Sequence, residues 1–184
     1  MSLEDYETVI GLETHVQLKT ATKMFCGCRN VYGEEPNSHV CPVCLGMPGA
    51  WPVANRRAFE LAIMGGIALG CKIAPYTKFD RKNYFYPDLP KGYQISQFDL
   101  PINADGCVVF GEGPLGHVRI KRAHLEEDAG KNQHTEGGAH GEATLVDMNR
   151  AGVPLLEIVT EPDLRTPDMA YEYLTALKLM LRYV

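Results

Sequence analysis

Four of the six cysteines in this 184-residue chain fall within one stretch of 19 residues and form two close pairs. The first pair is Cys26 and Cys28, and twelve residues separate it from the second pair, Cys41 and Cys44. Two short turns that each present two thiolates can surround one ion, and zinc binds four sulfur atoms at about 2.3 Å. The pattern predicts a structural zinc loop over residues 26–44, with four free thiols as the alternative. Because four thiolates leave zinc no open position, we expect the ion to stabilise the loop rather than take part in chemistry.

The start of the chain and its hydropathy bear on where the protein resides. Residues 1–5 place no basic segment ahead of an apolar stretch, so a signal peptide is not predicted. The longest uncharged apolar run, Leu61–Cys71, is far shorter than the roughly 20 residues that cross a bilayer. We therefore expect a cytoplasmic protein with no membrane partner, in which the thiols stay reduced.

The overall charge limits the partners that the chain can hold by itself. Apolar residues make up 45% of the sequence and charged residues 22%, which favours a folded domain over disorder. The net charge is -5, whereas a surface that holds a nucleic-acid backbone is usually positive. Any contact with RNA is therefore expected to be local or shared with another part of an assembly.

Strict alternation of apolar and polar residues predicts a β-strand between Tyr6 and Leu18. The polar face of this strand carries Glu13 and His15, about 7 Å apart along the strand. An acid and an imidazole on one exposed face form half of a metal site or an acid–base site. A solvated strand face is the alternative.

Further segments predict two helices and an antiparallel meander, and together they favour an α+β fold of mainly antiparallel sheet with flanking helices. Asn55 is expected to cap a helix that ends at Gly70 and is buried all round, and Thr166 to cap a second helix. A hairpin turn is predicted at Asp105 and Gly106. The predicted strands are Leu100–Asn103, Cys107–Phe110, His117–Arg122, Ala143–Met148 and Pro154–Thr160.

Three segments between these elements carry charged and aromatic side chains. Residues 78–98 interleave basic and aromatic residues on an expected loop-like path, which suits a phosphate-bearing ligand with a flat base. A loop packed with tyrosines is the alternative. The acids at 126–128 end a strand, where a cation would offset their repulsion, and oxygen ligands indicate Mg²⁺. A solvated run of charges is the alternative. Residues 130–141 are expected to be a loop with His134 and His140 exposed.

Six runs of residues stand out along the chain: 9–16 (VIGLETHV), 78–88 (KFDRKNYFYPD), 93–98 (YQISQF), 124–131 (HLEEDAGK), 147–150 (DMNR) and 157–163 (EIVTEPD). In this order they resemble the B subunit of the aspartyl/glutamyl-tRNA amidotransferases over nearly the whole chain. The resemblance implies a catalytic domain related in fold to glutamine synthetase and the guanidino kinases. We expect residues 1–165 to form this domain and residues 166–184 to begin a further helix of a longer, truncated protein.

The resemblance implies a carbon–nitrogen ligase with glutamine as the nitrogen donor. The family uses ATP to phosphorylate the side-chain carboxylate of misacylated Glu-tRNA(Gln) or Asp-tRNA(Asn). Ammonia from an amidase A subunit then displaces the phosphate, and a small C subunit completes a heterotrimer. The tRNA would be held mostly by regions outside this chain. A non-catalytic, zinc-stabilised module that docks RNA or protein is the alternative function.

The resemblance also assigns roles to single residues, in addition to the structural zinc on the four cysteines. The residues implied to bind Mg²⁺ are Glu13, His15, Glu126 and Glu127. The cations implied to contact the phosphates of ATP are Arg81, Lys82, Lys91 and Arg150. The residues implied in catalysis are Lys82, Tyr84, Asp88 and Arg150.

Overall fold

The computed structural model describes residues 5–111, 116–138 and 141–184, which form nine strands and two helices. The helices are α1 (Arg56–Ala68) and α2 (Pro167–Tyr183). The strands are β1 (Glu13–Gln17), β2 (Lys72–Ile73), β3 (Asp80–Asn83), β4 (Tyr93–Ser96), β5 (Asn103–Val109), β6 (His117–Glu127), β7 (Lys131–Gly138), β8 (Gly141–Asp147) and β9 (Pro154–Thr160).

Seven of these strands form one antiparallel sheet, which confirms the predicted α+β class. The main path runs β1-β9-β6-β4-β3, and β5 joins β6 to β2. All seven residues of β9 are buried because it pairs with β1 on one side and β6 on the other. The helices cover one face, where Leu125, Leu156 and Ile158 lie in the core. The other face is open beside β9.

Helix α1 begins and ends where the sequence predicts. The Asn55 side chain accepts hydrogen bonds from the first turn, and Gly70 follows with a φ of +65°. The expectation that this helix is buried all round is wrong, since Ile67 is 64% exposed. Its fully buried residues are all small, and Gly66 lies so close to the Asn103 side chain that a Cβ would overlap it. Gly65 and Gly66 thus allow the helix to approach the sheet closely with one face.

Three segments expected to be turns or loops are strands. Asp105, at a φ of +53°, and Gly106 lie within β5 rather than in a hairpin turn, because the strand continues its pairing with β6 on both sides of them. Residues 78–98 contain the hairpin of β3 and β4, which extends the sheet beyond β6. Residues 130–141 contribute to the separate hairpin of β7 and β8. His134 is exposed as expected, and His140 lies outside the described residues.

Within strand β6, the side of the sheet that its alternate side chains face changes from one end of the strand to the other. Val118 and Ile120 lie in the core, but the register with β9 shifts between Ile120 and Arg122. A bulge of one residue reverses the alternation, so Leu125 faces the core and Glu126 faces the open side. The bulge therefore decides which of the acids at the end of β6 reaches the open face.

Helix α2 packs on the same core through Tyr173 and Leu177, and the Tyr173 ring lies 6.0 Å from that of Phe110. Its cap is Thr166, as predicted, with Pro167 in the first turn. Neither helix in the described part of the chain has the length and hydropathy that a membrane span requires.

A bidentate ion pair joins the start of β6 to the segment after β9, and we expect it to make the free energy of unfolding depend on pH. Arg119 donates to both carboxylate oxygens of Asp163, at 2.9 and 2.7 Å. These bonds lower the pKa of Asp163 from its ordinary 3.8 to about 2. A lowered pKa stabilises the fold above pH 3.8, and the contribution is lost as pH falls through about 2.

Asp163→Asn is accordingly expected to lower the free energy of unfolding by about 1 kcal/mol at pH 7, because the pair is only partly shielded from solvent. Urea denaturation at pH 7 and at successively lower pH should show this difference shrinking between pH 3.8 and about 2. Asp105→Asn, which removes a more exposed pair with Lys72, is the control. A difference that stays constant across this range would contradict the assignment.

Candidate functional site

A cleft of about 710 Å³ opens on the sheet face opposite α1. Strands β1, β3, β4 and β6 and the turn after β8 contribute side chains to it. Its polar side chains are those of His15, Gln17, Lys82, Tyr84, Gln94, Glu126, Asp128 and Arg150. The cleft thus unites candidates from four of the six sequence motifs, although these motifs are spread from residue 9 to residue 150.

His15 and Glu126, which line the cleft, form a compact cluster of one imidazole and two carboxylates with Glu157. His15 Nε2 lies 3.1 Å from Glu126 Oε1 and 3.6 Å from Glu157 Oε2. Strand register explains the cluster, because β9 places Glu157 directly between His15 on β1 and His124 on β6. Side chains opposite one another on adjacent strands lie about 5 Å apart.

The imidazole of His124 contacts both carboxylates of this cluster from the neighbouring strand position on β6. It is buried, and its Nε2 lies 3.3 Å from Glu157 Oε2 and 3.8 Å from Glu126 Oε2. Arg122 Nε donates to His124 Nδ1, so the Nε2 proton is available to the carboxylates. The hydrogen bond from His124 lowers the pKa of Glu157 to about 2. Glu157 therefore remains ionised at neutral pH.

The donor set of the cluster fits a divalent cation. The ligand atoms of His15, Glu126 and Glu157 all lie within 4.8 Å of one another. Mg²⁺ prefers oxygen ligands in an octahedral shell and usually keeps several sites for water or phosphate. Two carboxylates and one imidazole would leave about half of such a shell for those ligands.

The structure separates the four residues predicted to bind Mg²⁺. His15 and Glu126 lie together, and Glu13 shares the β1 face of His15 but lies outside the cluster. Glu127 points to the other side of the sheet, where it pairs with Lys91 and accepts a hydrogen bond from the Ile95 amide. Strand alternation accounts for this, since adjacent residues face opposite ways.

Glu157 was not among the predicted ligands, although it lies in one of the six motifs. Its strand shows alternation, but only the pairing of β9 with β1 and β6 reveals that Glu157 meets His15 and His124. A single sequence carries no signal for that register.

Two of the four predicted phosphate-binding cations line the cleft, Lys82 and Arg150. Arg150 donates to the carbonyls of Ala129 and Gly130, at 3.0 and 2.7 Å, which fixes its guanidinium at the cleft wall. Arg81 lies on the opposite face of β3, 4.7 Å from the centre of the Tyr93 ring. Lys91, on that same face, is paired with Glu127.

The two remaining predicted residues differ in position. Tyr84 lines the cleft, and burial together with nearby carboxylates raises its pKa, so its hydroxyl stays protonated and can donate a hydrogen bond. Asp88 does not line the cleft. Its carbonyl accepts a hydrogen bond from the Gly130 amide at 2.8 Å, and among the described atoms its Oδ1 is buried without a hydrogen-bond partner.

The four paired cysteines converge as the spacing predicts. Their sulfur atoms all lie within 4.8 Å of one another, and those of Cys41 and Cys44 are 3.8 Å apart. Tetrahedral zinc with bonds of about 2.3 Å requires sulfur atoms about 3.8 Å apart, so the cluster fits the ion. The Cys41 amide donates to Cys44 Sγ at 3.0 Å, which orients that sulfur.

A buried lysine lies beside this cluster, and no pattern in the sequence predicted it. Lys23 is completely buried, and its Nζ donates to the carbonyls of His39 and Met148 at 2.7 and 3.3 Å. A hydrogen bond from Cys26 lowers the pKa of Cys44 to about 4, and the charge of Lys23 acts in the same direction. Lys23 thus offsets negative charge on the sulfur cluster.

Taken together, these sites define a domain able to hold a cation and an anionic ligand at one face of an antiparallel sheet. Residues 8–184 match the family model described as the GatB/GatE catalytic domain, and the chain belongs to that family. The match confirms the resemblance indicated by the six motifs.

Curated relatives carry the same family's name. The chain is 60% identical over 183 residues to the B subunit of the aspartyl/glutamyl-tRNA(Asn/Gln) amidotransferase of Thermomicrobium roseum, covering 98% of the chain and 38% of that protein. It is 57% identical over 180 residues to the corresponding protein of Thermodesulfovibrio yellowstonii, covering 97% and 37%. For Symbiobacterium thermophilum the identity is 58% over 186 residues, covering 100% and 38%. The chain therefore spans less than two fifths of the length of these relatives.

Proposed function

We propose that this chain is the catalytic part of an ATP-dependent amidotransferase that acts on misacylated Glu-tRNA(Gln) or Asp-tRNA(Asn). A side-chain carboxylate oxygen of the aminoacyl group attacks the γ-phosphorus of ATP, and ADP leaves. Ammonia then attacks the acyl carbon and inorganic phosphate leaves, which yields the amide. The names of the relatives, which specify an amidotransferase of Asp- and Glu-tRNA, support this assignment.

One observation carries the proposal: His15 and Glu126, which form a cluster with Glu157, line the same cleft as the cations Lys82 and Arg150. Formation of an acyl phosphate brings a carboxylate against a triphosphate, so negative charge must be neutralised where the two meet. A bound Mg²⁺ would supply part of that neutralisation by polarising phosphate oxygens. A pure docking module has no need for both charge types in one cleft.

Individual residues take the following roles in this proposal. Lys82 and Arg150 bind phosphate oxygens, and the Tyr84 hydroxyl donates a hydrogen bond within the cleft. Glu157 joins His15 and Glu126 in holding the cation, while Glu13 remains a predicted ligand on the same strand face. The sulfur cluster holds a structural zinc and takes no part in the chemistry.

The partners and fold relationship are part of the same proposal. An amidase A subunit supplies ammonia from glutamine, and a small C subunit completes the heterotrimer. The misacylated tRNA is held mostly by regions outside this chain, which agrees with the net charge of -5. The antiparallel sheet is of the glutamine synthetase and guanidino kinase type.

The test follows ADP formation by the full-length protein assembled with its partners. With ATP, Mg²⁺ and glutamine, ADP should form in proportion to misacylated Glu-tRNA or Asp-tRNA and should be accompanied by amidated product. Uncharged tRNA is the control and should give no ADP above background. Binding of misacylated tRNA without any ADP formation would contradict the proposal and favour the docking module.

A further inference from the structure

We propose that the segment between the two cysteine pairs is a clasp that positions Arg150 in the cleft. The clasp segment comprises residues 35–39, and it holds residues 146–149, the end of β8 and the turn that follows it, which immediately precede Arg150 and are called the turn below. Asn37 and Asn149 are its positioning residues. The phosphate-binding part of this inference rests on the proposed function, whereas the clasp itself does not.

Asn37 alone makes three hydrogen bonds to the turn. Its amide donates to Asp147 Oδ1 at 3.0 Å, and its side-chain Nδ2 donates to the Val146 carbonyl at 3.1 Å. Its Oδ1 accepts from the Met148 amide at 2.8 Å. Backbone and side chain of one residue therefore fix three consecutive residues of the turn.

Asn149, which lies in the turn, makes further hydrogen bonds to the clasp segment. Its Oδ1 accepts from the His39 amide at 2.8 Å, and its Nδ2 donates to the Glu35 carbonyl at 2.6 Å. Asp147 Oδ1 also accepts from the Asn149 amide at 2.9 Å, so the two asparagines share one acceptor. The two segments are joined by polar contacts in both directions.

The buried Lys23 joins this interface to the sulfur cluster. Its Nζ donates both to His39, in the clasp segment, and to Met148, in the turn. Gly152, just past Arg150, lies against the side chains of Lys23 and Cys44. The cysteine loop that contains the clasp segment therefore contacts the same stretch of chain that the asparagines hold.

Arg150 extends this turn into the described cleft, where its side chain forms part of the lining. Its guanidinium reaches the carbonyls of Ala129 and Gly130 because the turn sits in this position at the end of β8. Displacement of the turn would move a cation that faces the anionic ligand. The clasp thus links the cysteine loop to the phosphate-binding cation without touching the ligand.

The backbone conformation of Asn37 allows a substitution that removes its side-chain hydrogen bonds without straining the loop. Its φ is +60°, a left-handed conformation that glycine adopts without strain. Asn37→Gly therefore preserves the loop conformation while removing both side-chain bonds. Glu34→Ala is the matched control, because Glu34 is exposed on the same loop and its side chain makes no hydrogen bond among the described residues.

Hydrogen exchange in the full-length protein tests the clasp directly. In Asn37→Gly, the amides of residues 146–150 should exchange about tenfold faster, while those of β9 keep their protection. Removing metal from the unaltered protein with a chelator should loosen the same residues. Unchanged exchange at 146–150 in Asn37→Gly would overturn the proposal.

A double-mutant cycle on the affinity for Mg·ATP tests whether the clasp acts through Arg150. Asn37→Gly should weaken binding about three- to tenfold in the unaltered background and have no further effect in Arg150→Ala. Additive effects would overturn the role of Arg150. Failure of the unaltered protein to bind Mg·ATP would overturn the phosphate-binding part together with the proposed function, and the exchange experiment would still decide the clasp.

Discussion

Glu126→Gln is expected to lower the rate of ATP-dependent phosphorylation of misacylated tRNA by about a thousandfold or more. The substitution keeps the shape of the side chain but removes a carboxylate that lies 3.1 Å from His15 Nε2. Transition states that gather charge around a phosphoryl group lose several kcal/mol when a cation-binding group is removed. Single-turnover measurements with the assembled full-length protein and Glu-tRNA report this step.

The neighbouring residue is the control for this experiment. Glu127 also ends β6 and is also buried, but it pairs with Lys91 on the opposite side of the sheet. Glu127→Gln leaves a buried ammonium unpaired and should cost about 3 kcal/mol of stability, while the folded fraction retains most of its activity. Equal losses of activity in the two variants would contradict the assignment of Glu126 to the cation.

We expect Glu126→Gln and Glu127→Gln to differ in their effect on the free energy of unfolding. Glu126 lies close to the ionised Glu157 in the cluster, so replacing its carboxylate with an amide removes like charge beside Glu157. Glu126→Gln should therefore unfold at equal or higher urea concentration than the unaltered protein. A site that is destabilising by itself and stabilised by its ligand is what a cation-binding function requires.

Local sequence rules predicted the elements whose partners are near in sequence. Alternation places Glu13 and His15 on one exposed face of β1, and Asn55 caps α1 as its side chain dictates. Cysteine spacing predicted the sulfur cluster, because two short turns suffice to bring the four thiols together. In each case the physical cause lies within a few residues of the feature.

Features that depend on strand pairing could not be predicted from local sequence patterns. A bulge of one residue beside Lys121 reverses the faces of β6, so Glu126 rather than Glu127 reaches the cleft. The resemblance implies that Arg81 and Lys82 both bind phosphate, yet adjacent residues on β3 face opposite sides of the sheet. Register and bulges are decided by packing across the sheet, which a single sequence does not encode locally.

Removal of the metal from the cysteine cluster is expected to have the second large effect, this time on stability. Residues 19–55 contain turns and an isolated bridge but no helix or strand, so no regular ladder of backbone hydrogen bonds orders this part of the described chain. Four sulfur atoms held around one ion would supply order that regular secondary structure does not. Elemental analysis should find about one zinc per chain, and Cys41→Ser should lose it.

The length of the chain determines how far Tm should fall when the ion is lost. Loss of a structural ion from a loop that packs on the domain should cost about 3–5 kcal/mol, and each kcal/mol lowers Tm by about 2–4 °C in a chain of this length. Calorimetry of Cys41→Ser should therefore show Tm lower by about 10 °C. Cys107→Ser is the matched control, because Cys107 is exposed and lies outside the cluster. A metal-free preparation that melts at the unaltered temperature would show that the four thiols are free, and the loop would then owe its order to protein contacts such as those of Asn37, Asn149 and Lys23.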